Sequence, residues 1–424
     1  MQFMTMTTCV FVAVFVIFWY TLFHLVMQFP QPEFDKEAAI NAIHEYAKRV
    51  GSKEAADDCD GQPLTGICII ITGPTSGIGL ELAKMLHGLG ATIIAIGRST
   101  KRLAALQYEL ENNISLADEE KKEIEKEPQR RFFPYIADFT DLDTVQSACK
   151  QILSDFSYTH VDFLINNAGV PNLLGEDGEM LRTKQQYELV FGVNYLSHYV
   201  LTNQLKPLLE RSSNFPRIIY IASNFHRGVT GDALLTSNAG GQPIASGRNL
   251  IEPPTPMHAY ANSKFAQMLH VRTLNKNEDI RLQCTQSNPS HIQKRVQTIA
   301  VCPGAVCTSI HKGAKGKKDL IASTAFPVDV SLQCILYAMF SPPSMVTDYL
   351  KNIRTQFFIY PPPFLPAKYR FMYIFFWAVV TMPIQKFLFS KKLYVEKSDP
   401  HTYDIVKQDN LEKWSQKEVS KWLK

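Results

Sequence analysis

The stretch Gly66-Ile-Cys-Ile-Ile-Ile-Thr-Gly-Pro-Thr-Ser-Gly-Ile-Gly79 changes character halfway along. Its first half is a short apolar run rich in β-branched residues, which predicts a strand buried on both faces, as in a parallel sheet. Three glycines follow, and Leu80-Glu-Leu-Ala-Lys-Met-Leu-His87 then has helical periodicity. A glycine-rich turn between a strand and a helix can bind phosphate groups, so this stretch predicts a dinucleotide-binding α/β fold.

The loop residues have separate expected roles in binding a dinucleotide. Gly73 allows the turn, Gly77 lets the backbone approach the pyrophosphate, and Gly79 lets the helix pack closely on the strand. The free N–H groups and the dipole at the start of the helix favour phosphate. We therefore assign cofactor binding to this loop, with Ser76 and Ile78 included.

A second apolar run, Ala91–Ile96, is followed directly by Gly97, Arg98 and Ser99. In this fold an acidic residue after the second strand binds the ribose 2′-hydroxyl, whereas an arginine can pair with a 2′-phosphate. The alternative is an arginine that simply caps a strand end at the surface. With the glycine loop upstream, Arg98 predicts NADP(H) rather than NAD(H) as the cofactor.

Two further apolar runs end in polar residues. The strand predicted at 132–137 ends in Asp138, whose carboxylate is expected near the adenine amino group. The run that begins at Val161 ends in a small-residue turn with Asn166 and Asn167, which we expect to brace the sheet edge against the cofactor. The alternation of strands and helices predicts a doubly wound parallel sheet of the Rossmann type.

Candidate catalytic residues follow this turn in chain order. Asn194 opens a long predicted helix, and Ser223 ends a predicted strand. Tyr260 and Lys264 are four residues apart, which places them on one face of a helix. Each residue alone has an ordinary interpretation, such as a surface tyrosine or a strand-end serine, and their combination is what indicates a site.

Together these features resemble the short-chain dehydrogenase/reductase family. The resemblance covers about residues 64–340 and rests on Thr72-Gly-x-x-x-Gly-Ile-Gly79, Asn166-Asn-Ala-Gly169, Asn194, Ser223, Tyr260-x-x-x-Lys264 and Pro303-Gly-Ala-Val-Cys-Thr308. The phrase Val-Asn-Tyr-Leu-Ser-His around Asn194, and His226 after Ser223, most resemble the retinol dehydrogenase-like branch.

The resemblance implies a role for each matching residue. Tyr260 would donate its phenolic proton to a carbonyl oxygen, and Lys264 would favour the phenolate and bind the nicotinamide ribose. Ser223 would hydrogen-bond the substrate oxygen. Asn194 would hold a water molecule that links Lys264 to solvent, and Thr308 would contact the nicotinamide carboxamide.

Several residues near these motifs receive a structural interpretation. His198 and His226 are expected to be structural, because no GxSxG elbow of a hydrolase accompanies them. Asn262 and Ser263 are expected to face away from the site. The polar stretches 224–258 and 276–295 are predicted to be insertions, and they leave the substrate pocket undefined.

The first 32 residues contain no Lys, Arg, Asp or Glu and are mostly apolar. A span of the hydrocarbon core needs ~20 such residues, so the segment predicts a transmembrane anchor. A cleaved signal peptide is the alternative, but it requires a positive region before the apolar run. Lys36, Lys48 and Arg49 follow the segment, which predicts that the catalytic part lies in the cytosol. The endoplasmic reticulum is the expected membrane.

The other end of the chain contains a second apolar segment, Arg370–Lys386, which is rich in aromatic residues and flanked by basic ones. It is predicted to lie at the bilayer interface, and a buried helix that covers the sheet is the alternative. A polar tail with a short amphipathic helix at 409–423 follows. The predicted organisation is an anchor (1–32), a linker (33–63), a catalytic domain (64–345) and a C-terminal interface segment with tail (346–424).

Composition excludes several other classes of protein. The 424 residues carry a formal net charge of +4, and basic and acidic residues are mixed along the chain, which is not typical of nucleic-acid binding. The eight cysteines form no CxxC pair or Cys/His cluster, so no metal site is predicted.

The sequence therefore predicts an NADP(H)-dependent oxidoreductase that acts on a carbonyl or alcohol of a lipophilic substrate such as a retinoid, a steroid or a fatty aldehyde. The lipid bilayer is the other expected partner, and a homo-oligomer is left open. Alternatives are a sterol 3-keto reductase, a protochlorophyllide-reductase-like enzyme, or a catalytically silent membrane scaffold that senses NADP.

Overall fold

The computed structural model of the protein describes residues 35–51, 62–112, 130–157, 159–171, 174–175, 178–232, 256–285, 295–304, 306, 328–345, 349–351, 394–395 and 398–424. The predicted anchor (1–32), the predicted interface segment (370–386) and Thr308 lie outside these residues. Among the residues that are described, no helix is long and apolar enough to span a membrane.

A single eight-stranded sheet forms the centre of the molecule, in the order β3-β2-β1-β4-β5-β6-β7-β8. The strands are β1 (Cys68–Thr72), β2 (Thr92–Gly97), β3 (Phe132–Ile136), β4 (Phe163–Asn166), β5 (Arg217–Ile221), β6 (Gln297–Cys302), β7 (Tyr349–Lys351) and β8 (Tyr394–Val395). All neighbouring pairs are parallel except β7 and β8. The predicted doubly wound parallel sheet is confirmed, and its strand order reverses between β1 and β4, where ligands bind in such folds.

The first strand shows why apolar runs predict this sheet. All five residues of β1 are buried, and Ile70 pairs with Ile94 of β2 on one side and with Leu164 of β4 on the other. The strand begins two residues later than the apolar run suggests. Gly66 has a φ of +83°, which places it in a turn that other residues rarely adopt, so the extended conformation starts only at Cys68.

Helices cover both faces of the sheet. One face carries α1 (Lys36–Val50), α2 (Gly77–Gly88), α3 (Thr100–Asn112) and α7 (Val328–Phe340), and the other carries α4 (Leu142–Asp155), α5 (Ser197–Glu210), α6 (Pro256–Thr285) and α8 (Ile405–Glu418). Short helical turns lie at Leu189–Phe191, Gly192–Leu196, Asn224–Gly228, Pro343–Met345, Pro400–Tyr403 and Ser420–Leu423. Each face therefore has its own apolar core.

Helix α1 falls in the segment that the sequence assigns to a linker. The ring of its Tyr46 packs against Phe163 of β4 and Phe340 of α7, at centroid distances of 5.6 and 5.1 Å. The Tyr46 hydroxyl donates to the main-chain oxygen of Asn214, 2.7 Å away. Residues before the predicted catalytic domain thus contribute to its core.

The prediction of a polar insertion at 276–295 is wrong for its first part, because α6 continues as far as Thr285. The charged side chains of this stretch are compatible with a helix because they are paired. Glu278 is buried, forms an ion pair with Arg281, and accepts a hydrogen bond of 2.8 Å from the Val296 main-chain N–H. A buried carboxylate that is paired in this way need not be exposed to water.

The predicted amphipathic helix near the C-terminus is present as α8, and it packs on α5 and α6. It begins at Ile405, earlier than predicted, because the Asp404 side chain caps it by accepting from the Lys407 main-chain N–H. Leu411 and Trp414 lie in the apolar core. Together with β7 and β8, this helix joins residues after position 345 to the same sheet and core as the nucleotide-binding half.

We expect Leu411→Ala to lower the free energy of unfolding by about 2–5 kcal/mol, since Leu411 is only 2% exposed and its truncation leaves a cavity. Val406→Ala on the same helix is the control, because Val406 is 67% exposed and should change stability by less than about 0.5 kcal/mol. Urea unfolding of both variants measures the difference. Equal effects would show that α8 does not pack on the core.

Candidate active site

The glycine loop connects β1 to α2 through two residues with left-handed backbone. Gly73 has a φ of +66° and Gly77 a φ of +56°. A Cβ atom at Gly79 would lie 2.4 Å from the Gly73 main-chain oxygen and 2.5 Å from Nδ2 of Asn167. All three glycines are therefore required by the backbone, and any side chain at position 79 would push α2 away from the loop.

Hydrogen bonds connect the start of the glycine loop to the residues that follow β4. Nδ2 of Asn167 donates to the main-chain oxygen of Thr72 at 2.8 Å, and Oγ1 of Thr72 accepts from the main-chain N–H groups of Asn167 and Ala168 at 2.9 and 2.8 Å. These bonds join the two strands between which the strand order reverses. The predicted bracing role of Asn167 agrees with these contacts, while its contact with a cofactor stays a prediction.

The N-terminus of α2 opens toward the same loop. Ser76 is exposed and is the N-cap residue, and its side chain makes no capping bond within the described part of the chain. Ile78 is partly buried against the apolar core. Backbone N–H groups at the first turn of a helix lack intrahelical partners, so this end of α2 is suited to an anion.

Two further predicted cofactor residues lie at this sheet edge. Arg98 is exposed and directly follows β2, and Asp138 follows β3, whose Ile136 pairs with Gly97. Oδ1 of Asp138 accepts from both the main-chain N–H and the hydroxyl of Thr140, each at 2.9 Å. The main-chain N–H of Gly73 donates to Ile96 of β2 at 2.8 Å, so the glycine loop borders the strand that Arg98 follows.

Three predicted catalytic side chains come together where β5 and α6 meet. The Tyr260 hydroxyl is hydrogen-bonded to the Ser223 side chain, and Nζ of Lys264 lies 5.5 Å from the Tyr260 ring centroid. Nζ of Lys264 donates to the main-chain oxygen of Ile221 at 2.7 Å. The prediction that Ser223 ends the strand is wrong by two residues, because β5 ends at Ile221. The Ser223 side chain instead caps the turn Asn224–Gly228.

Burial sets the ionisation of the tyrosine and lysine. It raises the pKa of Tyr260 to about 12, although the hydrogen bond with Ser223 acts in the opposite direction. Burial lowers the pKa of Lys264 to about 7. The phenol is therefore protonated at neutral pH, while the lysine can gain or lose a proton there.

Asn194 lies near the start of a long helical stretch, as predicted, within the π-turn Gly192–Leu196 that leads directly into α5. Its side chain exchanges two hydrogen bonds with the backbone of Val170, at 2.8 and 3.1 Å. Its Nδ2 also donates to Oγ of Ser263 at 3.1 Å. The expectation that Ser263 faces away is therefore wrong, since this buried hydroxyl connects Asn194 to the helix that carries Tyr260 and Lys264.

Both histidines near the motifs are buried and bonded to the backbone. Nδ1 of His198 lies 3.1 Å from the main-chain oxygen of Asn194, and burial lowers the pKa of this histidine to about 3. Nδ1 of His226 lies 2.7 Å from the main-chain oxygen of Ser223. These contacts agree with the structural interpretation of both residues.

Comparison with known proteins gives a family match over part of the chain. The model of the short chain dehydrogenase family matches residues 67–231, a range that contains the glycine loop, Asn194 and Ser223 but ends before Tyr260 and Lys264. The chain is 32% identical to retinol dehydrogenase 14 of Homo sapiens over 167 residues, which cover 39% of this chain and 46% of that protein.

The chain is also similar to a second curated relative and to a solved structure. Dehydrogenase/reductase SDR family member 7B of Xenopus laevis is 35% identical over 148 residues, 35% of this chain and 41% of that protein. The chain thus spans about half the length of the curated relatives it matches. The solved structure of an uncharacterized protein from Mycobacterium paratuberculosis superposes with a TM-score of 0.51 at 19% identity, covering 84% of this chain and 94% of the other, which supports the fold alone.

The lowered pKa of Lys264 predicts a pH-dependent stability. Unfolded lysine titrates near 10.4, so between pH 7 and about 10 the unfolded chain binds one proton more than the folded chain, and stability rises with pH. We expect the difference in unfolding free energy between the native protein and Lys264→Met to change by on the order of 1 kcal/mol per pH unit in this range. Urea unfolding without nucleotide at pH 7 and pH 9 measures it. Parallel behaviour of the two proteins would contradict the lowered pKa.

Proposed function

Because residues 67–231 belong to the short-chain dehydrogenase family, we propose that this protein is an NADP(H)-dependent oxidoreductase that transfers hydride to or from a lipophilic carbonyl or alcohol. One observation carries the proposal. Ser223, Tyr260 and Lys264 meet beside the carboxyl end of β5, on the sheet edge that also carries the glycine loop. That combination places a proton donor next to a dinucleotide-binding loop.

The residues at this edge fit a dinucleotide. The left-handed glycines and the uncapped start of α2 suit a pyrophosphate, and the residues we assign to the cofactor are Gly73, Ser76, Gly77, Ile78, Gly79, Arg98, Asp138, Asn167, Tyr260, Lys264 and Thr308. The exposed guanidinium of Arg98 suits the 2′-phosphate of NADP. When bound, the nicotinamide supplies or accepts the hydride.

The protein's own groups manage the proton. In carbonyl reduction, the Tyr260 phenol donates its proton to the oxygen of the substrate, and its pKa of about 12 keeps it protonated until then. The Ser223 hydroxyl is bonded to that phenol in the absence of substrate; once substrate is bound, it turns its proton to the substrate oxygen and stabilises the developing charge there. Lys264 in its charged form favours the phenolate that remains.

A lipophilic substrate is supported by the surroundings of the phenol. The ring of Phe225 lies 5.8 Å from the Tyr260 ring, edge to face, so an apolar surface adjoins the proton donor. The relative in Homo sapiens is named for retinol, a lipophilic alcohol. The apolar first 32 residues, as an anchor in the endoplasmic reticulum membrane, would hold the site close to such substrates.

A catalytically silent scaffold that senses NADP is the alternative from a different class of protein. It would need the glycine loop but would have no chemical use for a buried lysine. Burying an ammonium-bearing side chain disfavours its charged form and lowers stability, and a protein without catalytic use for the lysine gains nothing in return. Lys264 is 5% exposed and hydrogen-bonded at 2.7 Å, which supports the enzyme.

We expect Tyr260→Phe to reduce kcat for NADPH oxidation with all-trans-retinal by at least about 100-fold, because the variant lacks the general acid. Tyr108→Phe is the matched control, since Tyr108 is exposed on α3 and should leave kcat unchanged. Absorbance at 340 nm follows the reaction. If the native protein binds NADPH but reduces neither retinal nor a panel of steroid ketones and fatty aldehydes, the scaffold is correct.

Arg98→Asp is expected to weaken NADPH binding by at least about tenfold and to permit NADH as a substrate, since a carboxylate repels the 2′-phosphate and can accept from a 2′-hydroxyl. Lys150→Asp makes the same change of charge on α4 and should leave both KM values unchanged. The ratio of kcat/KM for the two cofactors is the measurement. A ratio unaltered in Arg98→Asp would refute the assignment of Arg98 to the 2′-phosphate.

A further inference from the structure

The main-chain oxygen of Asn194 receives side-chain donors from two different helices. Nε2 of Gln267, on α6, donates to it at 2.6 Å, and Nδ1 of His198, on α5, lies 3.1 Å away. Because this oxygen only accepts, Nδ1 of His198 carries the proton and its Nε2 is the acceptor. A carbonyl oxygen has two lone pairs, and these two side chains use both of them.

The second nitrogen of His198 extends this set of bonds to the glycine loop. Its Nε2 lies 3.0 Å from Oγ1 of Thr72, the hydroxyl that accepts from two main-chain N–H groups after β4. The hydroxyl proton has two acceptors within reach, this histidine nitrogen at 3.0 Å and the main-chain oxygen of Ile165 at 3.3 Å, and the nitrogen is the nearer one. Asn194 is therefore bonded, through His198, to the loop that is proposed to hold the cofactor.

Asn194 is joined to α6 at two points, one turn apart. Its Nδ2 donates to Ser263 at 3.1 Å, and the Ser263 hydroxyl donates to the main-chain oxygen of Tyr260 at 2.7 Å. The second point is Gln267, and Lys264 lies between the two along the helix. The π-turn and the catalytic turn of α6 are held together on both sides of the lysine.

Glutamine at position 267 lowers the stability of the folded protein. It is fully buried, and its Oε1 has no hydrogen-bond partner among the residues that the structure describes. A buried amide oxygen without a partner destabilises a protein, whereas leucine at the same position would have no polar atom to bury. Its bond to Asn194 is the one feature that distinguishes glutamine from an apolar residue here.

We propose that Gln267 is a positioning residue of the reaction, which holds Asn194 and thereby fixes the Tyr260–Lys264 turn relative to the glycine loop. The inference rests on the proposed function and deepens it. Gln267 touches neither substrate nor cofactor, and it acts through Asn194 and Ser263.

The first test replaces Gln267 by leucine and separates kcat from KM and from stability. With NADPH and all-trans-retinal, Gln267→Leu should lower kcat by about tenfold or more, because misplaced catalytic groups are costly. KM for NADPH should stay within about twofold, and urea unfolding should show equal or greater stability. A kcat within twofold of the native value, or a loss of kcat matched by a loss of folded protein, would overturn the proposal.

Thr273→Val is the matched control for this variant. Thr273 is buried in the same helix, and its hydroxyl donates to the main-chain oxygen of Leu269 at 3.1 Å without reaching Asn194. It should leave kcat unchanged. Ser263→Ala provides the second comparison, because a double variant with Gln267→Leu should lose less than the product of the two single losses if both act through Asn194.

An experiment independent of turnover keeps the two proposals apart. Amide hydrogen exchange should be faster in Gln267→Leu at residues 260–267 and in the π-turn, and unchanged at 268–276. Unchanged protection at 260–267 would overturn the positioning role even if the enzyme is active. If the native protein reduces none of the tested carbonyls, the proposed function fails, and faster exchange at 260–267 would still support a fixed contact between Gln267 and Asn194.

Discussion

The hydrogen bond from Nζ of Lys264 to the main-chain oxygen of Ile221 positions the rest of the site. This bond is 2.7 Å long and joins α6 to the end of β5. It lies inside the protein, where a lysine nitrogen without an acceptor would be strongly destabilising. Because Tyr260 precedes Lys264 by one helical turn, the same bond places the phenol beside Ser223. Lys264 thus contributes to the fold as well as to the proposed proton transfer.

Several polar groups at the carboxyl edge of the sheet are hydrogen-bonded to one another. Thr72, Asn167, His198 and Asn194 form a continuous series of hydrogen bonds from the glycine loop to α6. Burial keeps the histidine neutral, so this series carries no charge of its own. A buried network of this kind specifies a geometry more strictly than apolar packing does, because each member has few alternative partners.

The sequence predicts the parallel sheet and the glycine loop well, since apolar runs and glycine spacing are local signals. It does not predict Gln267 or Ser263, because their partners are a main-chain oxygen and an asparagine far away in the chain. The π-turn around Asn194 has no pattern of its own in the residues that form it. The pairing and burial of Glu278 could not be predicted for a related reason, because only the fold brings its partners to it.

The C-terminal helix has a consequence for how the protein is made. Glu412 and Ser415 accept or share hydrogen bonds with the buried hydroxyls of Tyr199 and Tyr195, both at 2.8 Å, and Trp422 bonds to Asp143 at 2.7 Å. A ribosome produces these partners after all other described parts of the core. Until synthesis reaches α8, the nascent chain lacks the partners of the two α5 tyrosines, so this face of the sheet completes its packing last.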